Sequence, residues 1–267
     1  MIDLHCHLLP GIDDGAADLP TALRMARIAH ADGITVTACT PHIYPGLYEN
    51  TGPAIRRAVA QLQAQLIDAG LPLQLTHGAD THLTPDLVAG LRQGRVPALH
   101  DSRYFLLEPP HHVAPPRLAE TVFALLAAEY VPVITHPERL DWIEDHYATF
   151  VDLARQGAWM QVTAGSLTGR FGATARYWGE RLLDEGWVHI LATDAHGADR
   201  RPPLLGEGRQ AAERWVGAAE ATHLVETRPQ GILDDVTPDQ LPLVPGATAP
   251  SAPRSGWARL KQWLRRP

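Results

Sequence analysis

The chain has 267 residues, 45% of them hydrophobic, and a formal net charge of −7. That length can bury one large α/β core or two small ones, and no apolar run approaches the roughly 20 residues that span a bilayer. The last fourteen residues hold five cations and no acid, so −7 less those five leaves −12 for the remainder, a balance that argues against nucleic acid as the main partner.

Met1-Ile2-Asp3-Leu4-His5-Cys6-His7-Leu8-Leu9 reads as a first strand. Its alternation puts His5 and His7 on one face and Leu4 and Cys6 on the other. Asp3, His5 and His7 interrupt the only apolar N-terminal stretch, so no signal peptide is expected. A helix follows over Leu19 to His30, with Pro20 in its first turn and Gly33 beyond its end. Strand two is Ile34–Thr40, ending in Pro41-His42, and a helix over Pro53 to Ala69 comes next. Strand three, Leu73–Thr76, leads to His77-Gly78-Ala79-Asp80, and strand four, Tyr104–Leu107, stops at Glu108. A helix over Pro116 to Tyr130 precedes strand five, Val131–Thr135, which ends at His136. Strand six is Trp159–Thr163, and strand seven, Val188–Thr193, ends at Asp194-Ala195-His196. Cys6 and Cys39 both fall in expected core strands, where a thiol is most often a small buried hydrophobe. A cytoplasmic location is the corresponding expectation. Seven parallel strands with covering helices imply a closed or barrel-like α/β sheet.

Six of the seven strands deliver His, Asp or Glu at their C-terminal ends, and in parallel α/β barrels those ends converge on one mouth. Any one of these residues alone would pass as a loop residue or helix cap, and histidine is plentiful elsewhere, at His77, His82, His111 and others. The shared position is what points to metal. Imidazole mixed with carboxylate, and no inward cysteine, suits Mn²⁺, Fe²⁺ or Zn²⁺. So many ligands exceed the needs of one ion, and clusters of two or three divalent ions hydrolyse phosphate esters. Cysteine-based phosphatase chemistry needs Arg six positions after the thiol, but Ile12 follows Cys6 and Pro45 follows Cys39.

The chain resembles the polymerase-and-histidinol-phosphatase (PHP) superfamily, and within it the manganese-dependent bacterial protein-tyrosine phosphatases of capsule and exopolysaccharide synthesis. The resemblance covers roughly residues 1 to 236, through the first strand motif, Asp13-Asp14-Gly15, Thr40-Pro41-His42, Tyr48-Glu49-Asn50, Tyr104–Glu108, His136-Pro137-Glu138-Arg139, Gly165–Gly172 and Asp194-Ala195-His196. It implies a distorted seven-stranded (β/α) barrel. It implies a trinuclear site in which His5, His7 and Asp194 serve one ion, Glu108 and His136 a second, and Asp14, His42 and His196 a third. Asp80 would bridge two ions where the family usually carries Glu, one methylene longer. Asp13 is the alternative to Asp14. Mn²⁺ is the expected cofactor, with Fe²⁺, Zn²⁺, Co²⁺ and Mg²⁺ as alternatives. Arg139, three residues after His136, suits bidentate contact with phosphate, or else a surface salt bridge with Glu138 or Glu144. Arg201 resembles a second phosphate-binding arginine, with Arg200 as its competitor.

The implied reaction is hydrolysis of phosphotyrosine in a protein, such as a membrane-associated kinase, by a metal-activated hydroxide. Alternatives are a small-molecule phosphoesterase, for instance on histidinol phosphate, and a non-catalytic metal-binding regulator. The expected division is a phosphatase domain over residues 1–244, a Pro/Ala-rich linker over 245–253 and a basic amphipathic tail over 254–267, the last suited to peripheral contact with the inner membrane face.

Overall fold

Apolar and β-branched runs form nine strands among residues 1–248, which the computed structural model describes: β1 Ile2–Cys6, β2 Val36–Cys39, β3 His42–Ile43, β4 Gln74–His77, β5 Asp80–His82, β6 Tyr104–Glu108, β7 Val131–Thr135, β8 Trp159–Thr163 and β9 Ile190–Ala192. Every ladder between them is parallel. The first sheet has the order β1-β2-β4 and the second β3-β5-β6-β7-β8-β9. The expected strands two and three are therefore each divided. Pro41, which has no N–H for a ladder, separates β2 from β3, and Gly78-Ala79 separates β4 from β5. The halves before the breaks stay in the first sheet, and those after them join the second. At the other edge, a bridge pairs Cys6 with Ala195. Asp194 N donates to His5 O at 2.8 Å and His7 N to Ala195 O at 2.9 Å. Thus β1 meets the segment after β9 at the residues of greatest chemical interest.

Strand alternation sorts side chains into two cores. Tyr104, Leu106, Val131, Val133, Trp159 and Ile190 form an inner cluster, while Phe105, Leu107, Ile134, Met160, Val162 and Leu191 pack with the helices, as a period of two requires. Continuing the inner register to the strand ends reaches Glu108, Thr135 and Gln161, so the inner face turns polar there. Cys6 and Cys39 are buried free thiols, and burial raises both well above the usual thiol range.

The C-terminal segment covers the opposite end. Ile232, in the helix Arg228–Leu233, joins the inner cluster, and Tyr104 Oη at the start of β6 donates to Val236 O at 2.7 Å. Arg228 is fully buried; it pairs with Glu220 at 2.7 Å and donates to the carbonyls of His189, Pro242 and Leu243. The helix expected over Pro116 to Tyr130 is shorter, Leu118–Ala127. Pro245–Thr248 form a short helix in which Gly246 N donates to Gly186 O at 2.9 Å, so the first four residues assigned to a linker dock on the body. The rest of that linker and the basic tail lie outside the described residues.

Candidate metal centre

Nine side chains singled out in the sequence converge at one mouth, though not all from C-terminal strand ends as expected: His42 and Asp80 open β3 and β5 just past the two strand breaks, and Asp14 comes from the loop after β1. His5 Nε2 lies 3.3 Å from Asp80 Oδ2, 3.3 Å from Asp194 Oδ1 and 3.2 Å from His7 Nε2, and His7 Nε2 lies 3.5 Å from Asp194 Oδ1. Glu108 Oε1 is 3.8 Å from His136 Nε2. Asp14 Oδ1 stands 3.4 Å from His42 Nε2 and 3.5 Å from His196 Nε2. Asp80 Oδ2 sits among these groups, 3.6 Å from His42 and 4.0 Å from His136. Five overlapping sets of three or four of these side chains, together with His111, are close enough to share an ion.

The rings are held in ligand tautomers by partners behind them. His5 Nδ1 donates to Gln161 Oε1 at 2.9 Å and His7 Nδ1 to Asp13 Oδ2 at 2.8 Å, which frees both Nε2 atoms as ligands. His196 Nδ1 donates to Asp194 O at 3.0 Å. Asp13 also accepts from Gly15 N and His42 N. The neighbouring aspartates thus differ: Asp13 orients imidazole from behind, whereas Asp14 faces His42 and His196. Gly15 is demanded by closeness, since a Cβ there would sit 2.2 Å from His7 O.

These groups fit a cation. With both Nδ1 atoms engaged behind the rings, the Nε2 atoms of His5 and His7, facing each other at 3.2 Å, need a proton or a metal ion between them. Asp80 is fully buried without a hydrogen bond to either carboxylate oxygen, so its charge rests on the cationic groups around it, His5 at 3.3 Å and His42 at 3.6 Å, a place that a metal ion would fill equally. Burial disfavours charge on His5, yet the carboxylates of Asp80 and Asp194 outweigh it and raise its pKa to about 9. His42, likewise opposed by burial, is raised to about 10 by Glu108, Asp80 and Asp14. Burial and the charge of Arg139 hold His136 neutral, well below the usual histidine range. Asp194 stays ionised despite burial because His5, Arg201 and Arg139 surround it.

Arg139 does not pair with Glu138 or Glu144. Its Nη1 donates to Asp194 Oδ2, and Arg201 Nη2 donates to the same oxygen at 2.6 Å and to Asp194 O at 2.9 Å. Asp194 therefore turns Oδ1 to the histidines and Oδ2 to two guanidinium groups. Both lie over the Phe171 ring, at 4.3 Å for Arg139 and 5.4 Å for Arg201. Arg139 and Arg201 line the cavity over these groups, of about 440 Å³, and Arg200 does not. Glu138 is buried instead, and burial lifts its carboxyl to about 6. It accepts from Thr163 N at 3.0 Å and Ser166 Oγ at 2.8 Å, bracing the turn that carries Phe171.

Sequence reasoning passed over His111, whose Nε2 lies 3.4 Å from Glu108 Oε1, and His82, 3.9 Å from Glu108 Oε2. His111 sits beyond a strand end in a Pro-Pro-His-His loop, and only its distance from Glu108, three residues, hinted at the contact. Gln161, a neutral strand residue, carried no signal, and Phe171 stood within the Gly165–Gly172 motif of the resemblance without any role being assigned to it.

A family model described as capsular polysaccharide synthesis, CpsB/CapC, matches residues 1–234. The chain is 38% identical over 220 residues to the tyrosine-protein phosphatase YwqE of Bacillus subtilis, covering 82% of this chain and 86% of the relative. It is 26% identical to the tyrosine-protein phosphatase CpsB of Streptococcus pneumoniae, over 88% of this chain and 99% of the relative. A solved chain from crystal structures of YwqE and CpsB, described as unique metal-dependent tyrosine phosphatases, superposes with a TM-score of 0.85 at 33% identity, covering 89% of this chain and 96% of that one. Histidinol phosphate phosphatase from Lactococcus lactis, at a TM-score of 0.53 and 16% identity over 80% of this chain and 92% of that one, shares the fold alone. With its fold, its converging histidines and carboxylates and a family match across nearly all the described residues, the chain belongs to the CpsB/CapC family of capsular polysaccharide synthesis.

Proposed function

We propose that this chain is a metal-dependent phosphatase that hydrolyses phosphotyrosine in proteins, with Mn²⁺ as its resident ion. The observation that carries this reading is Asp80, a buried carboxylate without hydrogen-bond partners in a ring of imidazoles, beside two arginines that share one acceptor. His5, His7 and Asp194 would hold one ion, Glu108 and His136 a second, and Asp14, His42 and His196 a third, with Asp80 between two of them. Ions bound there supply Lewis acidity toward phosphoryl oxygens and acidify a bound water.

The chain's own groups supply the rest. Arg139 and Arg201 stand at the cavity wall with donors beyond those used on Asp194, and a planar guanidinium fork suits the equatorial oxygens of a phosphoryl group. Phe171 fixes the planes of both. Gln161 and Asp13 keep His5 and His7 in one tautomer, and His111 supports Glu108. A phenolate, with pKa near 10, leaves readily enough that no strong general acid is required.

On this reading the strand ring is a distorted seven-stranded barrel closed at Cys6 and Ala195, and residues 1–244 are the catalytic domain. The partner is a tyrosine-phosphorylated protein of polysaccharide synthesis, a membrane-associated kinase being the natural case. The site of action is cytoplasmic, at the inner membrane face, approached through the basic tail. The family match and the names of the relatives support the phosphotyrosine substrate and the polysaccharide-synthesis setting.

Phosphate release from a phosphotyrosine peptide, a phosphoserine peptide and histidinol phosphate, each with Mn²⁺ and with EDTA, tests the proposal. Manganese-dependent release from the phosphotyrosine peptide alone is expected. Preference for histidinol phosphate would overturn the substrate, and metal binding without turnover of any substrate would overturn catalysis.

A further inference from the structure

Seven large hydrophobic side chains are exposed among the described residues, and three of them, Tyr44, Leu47 and Val113, line the metal-centre cavity. Tyr44 and Leu47 belong to a turn in which Tyr44 and Tyr48 pair through backbone hydrogen bonds of 3.0 and 2.8 Å. Gly46, at φ +84°, supplies the left-handed residue of that turn. Asn50 Nδ2 donates to Ile12 O and His42 O at 3.0 and 2.9 Å, tying the turn to the loop after β1. Tyr44 stacks on His82 at 4.0 Å and Tyr48 on His42 at 5.6 Å.

Val113 comes from a separate loop, after β6. That loop is fastened by Trp142 Nε1 donating to Pro110 O at 2.8 Å, Asp141 N to His111 O at 3.0 Å, and His112 to Asp141 at 2.6 Å. Backbone and polar contacts thus fix both loops without help from Leu47 or Val113. Folding gains nothing from leaving a leucine 62% exposed and a valine 68% exposed on ordered turns, and apolar groups gathered at the edge of a polar cavity mark a contact surface.

Depth decides what they contact. Asp80 and His136, at 0% and 2% exposure, form the floor. Tyr48, half-buried over His42, lies above it, and Leu47 and Val113 are outermost. A phosphotyrosine whose phosphate reaches the floor sets its ring beside Tyr48 and its peptide backbone at the lip. We infer that Tyr44, Leu47 and Val113 form a subsite for an apolar side chain adjacent to the phosphotyrosine, so that the enzyme selects phosphotyrosines with aliphatic or aromatic neighbours. The inference rests on the phosphotyrosine reading and deepens it.

The test compares two phosphotyrosine peptides that differ only in having Leu or Ser on either side of the phosphotyrosine, together with p-nitrophenyl phosphate, all with Mn²⁺. Wild-type enzyme should favour the Leu-flanked peptide on the order of tenfold in kcat/KM, through KM. The double variant Leu47→Ser, Val113→Ser should lose that preference and keep p-nitrophenyl phosphate turnover within about twofold. No preference in the wild type, preference retained by the variant, or a parallel fall on p-nitrophenyl phosphate would each overturn the subsite. Size-exclusion chromatography showing a wild-type dimer that the double variant has lost, with the preference intact, would make the lip a contact between copies and would also overturn it. Turnover of p-nitrophenyl phosphate with neither peptide hydrolysed would instead sink the phosphotyrosine reading itself.

Discussion

Asp194 shows how one residue can serve two chemistries. It adopts φ +49°, and His136 adopts φ +35°, left-handed conformations that cost a non-glycine residue about 1–2 kcal/mol each. Each turns sharply out of a strand end toward the mouth, which accounts for the strain at two proposed ligands. The sequence made the positions of Asp194 and His136 legible, because a strand end implies the mouth, but not their backbone geometry, which long-range packing imposes. Phe171 was less legible still, since its role lies in touching two arginines from different strand ends. Its loss should loosen both guanidinium groups. Phe171→Leu is expected to raise KM for an aryl phosphate by roughly three- to tenfold, the worth of one or two cation–π contacts, with kcat nearly unchanged and Tm within a few degrees. Phe171→Tyr should restore KM. An unaltered KM in the leucine variant would mean that the ring only fills space.

Among the elements, the strands were readable as β-branched runs and the first helix from its ends. Asp18 caps that helix by accepting from Thr21 N at 2.8 Å, and Pro20 sits in its first turn. The division of the second and third strands was not read, although Pro41 and Gly78 marked both places. A break looks like a strand end until the continuation finds its new partner, and that partner, β6 for β5, lies over twenty residues onward. The C-terminal cover was invisible for a related reason: Arg228 has no sequence neighbour that reveals its burial. With four partners and no solvent contact, it holds the segment that closes the lower end of the strands. Arg228→Ala leaves Glu220 without its partner and should destabilise the fold by about 3–5 kcal/mol, measured by denaturant unfolding of the full chain. A loss under ~1 kcal/mol would show that the buried pair contributes little beyond the cost of its own desolvation.

At the scale of the molecule, an acidic body concentrates its carboxylates around buried histidines, and that balance governs how the cage responds to pH. His5 and His42 are raised from 6.5 to about 9 and about 10 in the metal-free protein. A raised pKa contributes stability that is complete below the unfolded value near 6.5 and is lost as pH climbs through 9 to 10, so the metal-free fold is the one that holds these protons. Ligation requires them to leave. Metal binding at pH 7.5 should therefore release protons, seen as a buffer-dependent calorimetric enthalpy, and apparent affinity should rise with pH through that window; binding without proton release would contradict the assignment of these rings as ligands. The most direct test of the whole account is to strip the protein with EDTA and titrate Mn²⁺ back while measuring bound metal and phosphotyrosine-peptide turnover on the same samples. Turnover that is absent at the start and rises with occupancy beyond one ion per chain is the predicted result, and full activity in the stripped protein would contradict it.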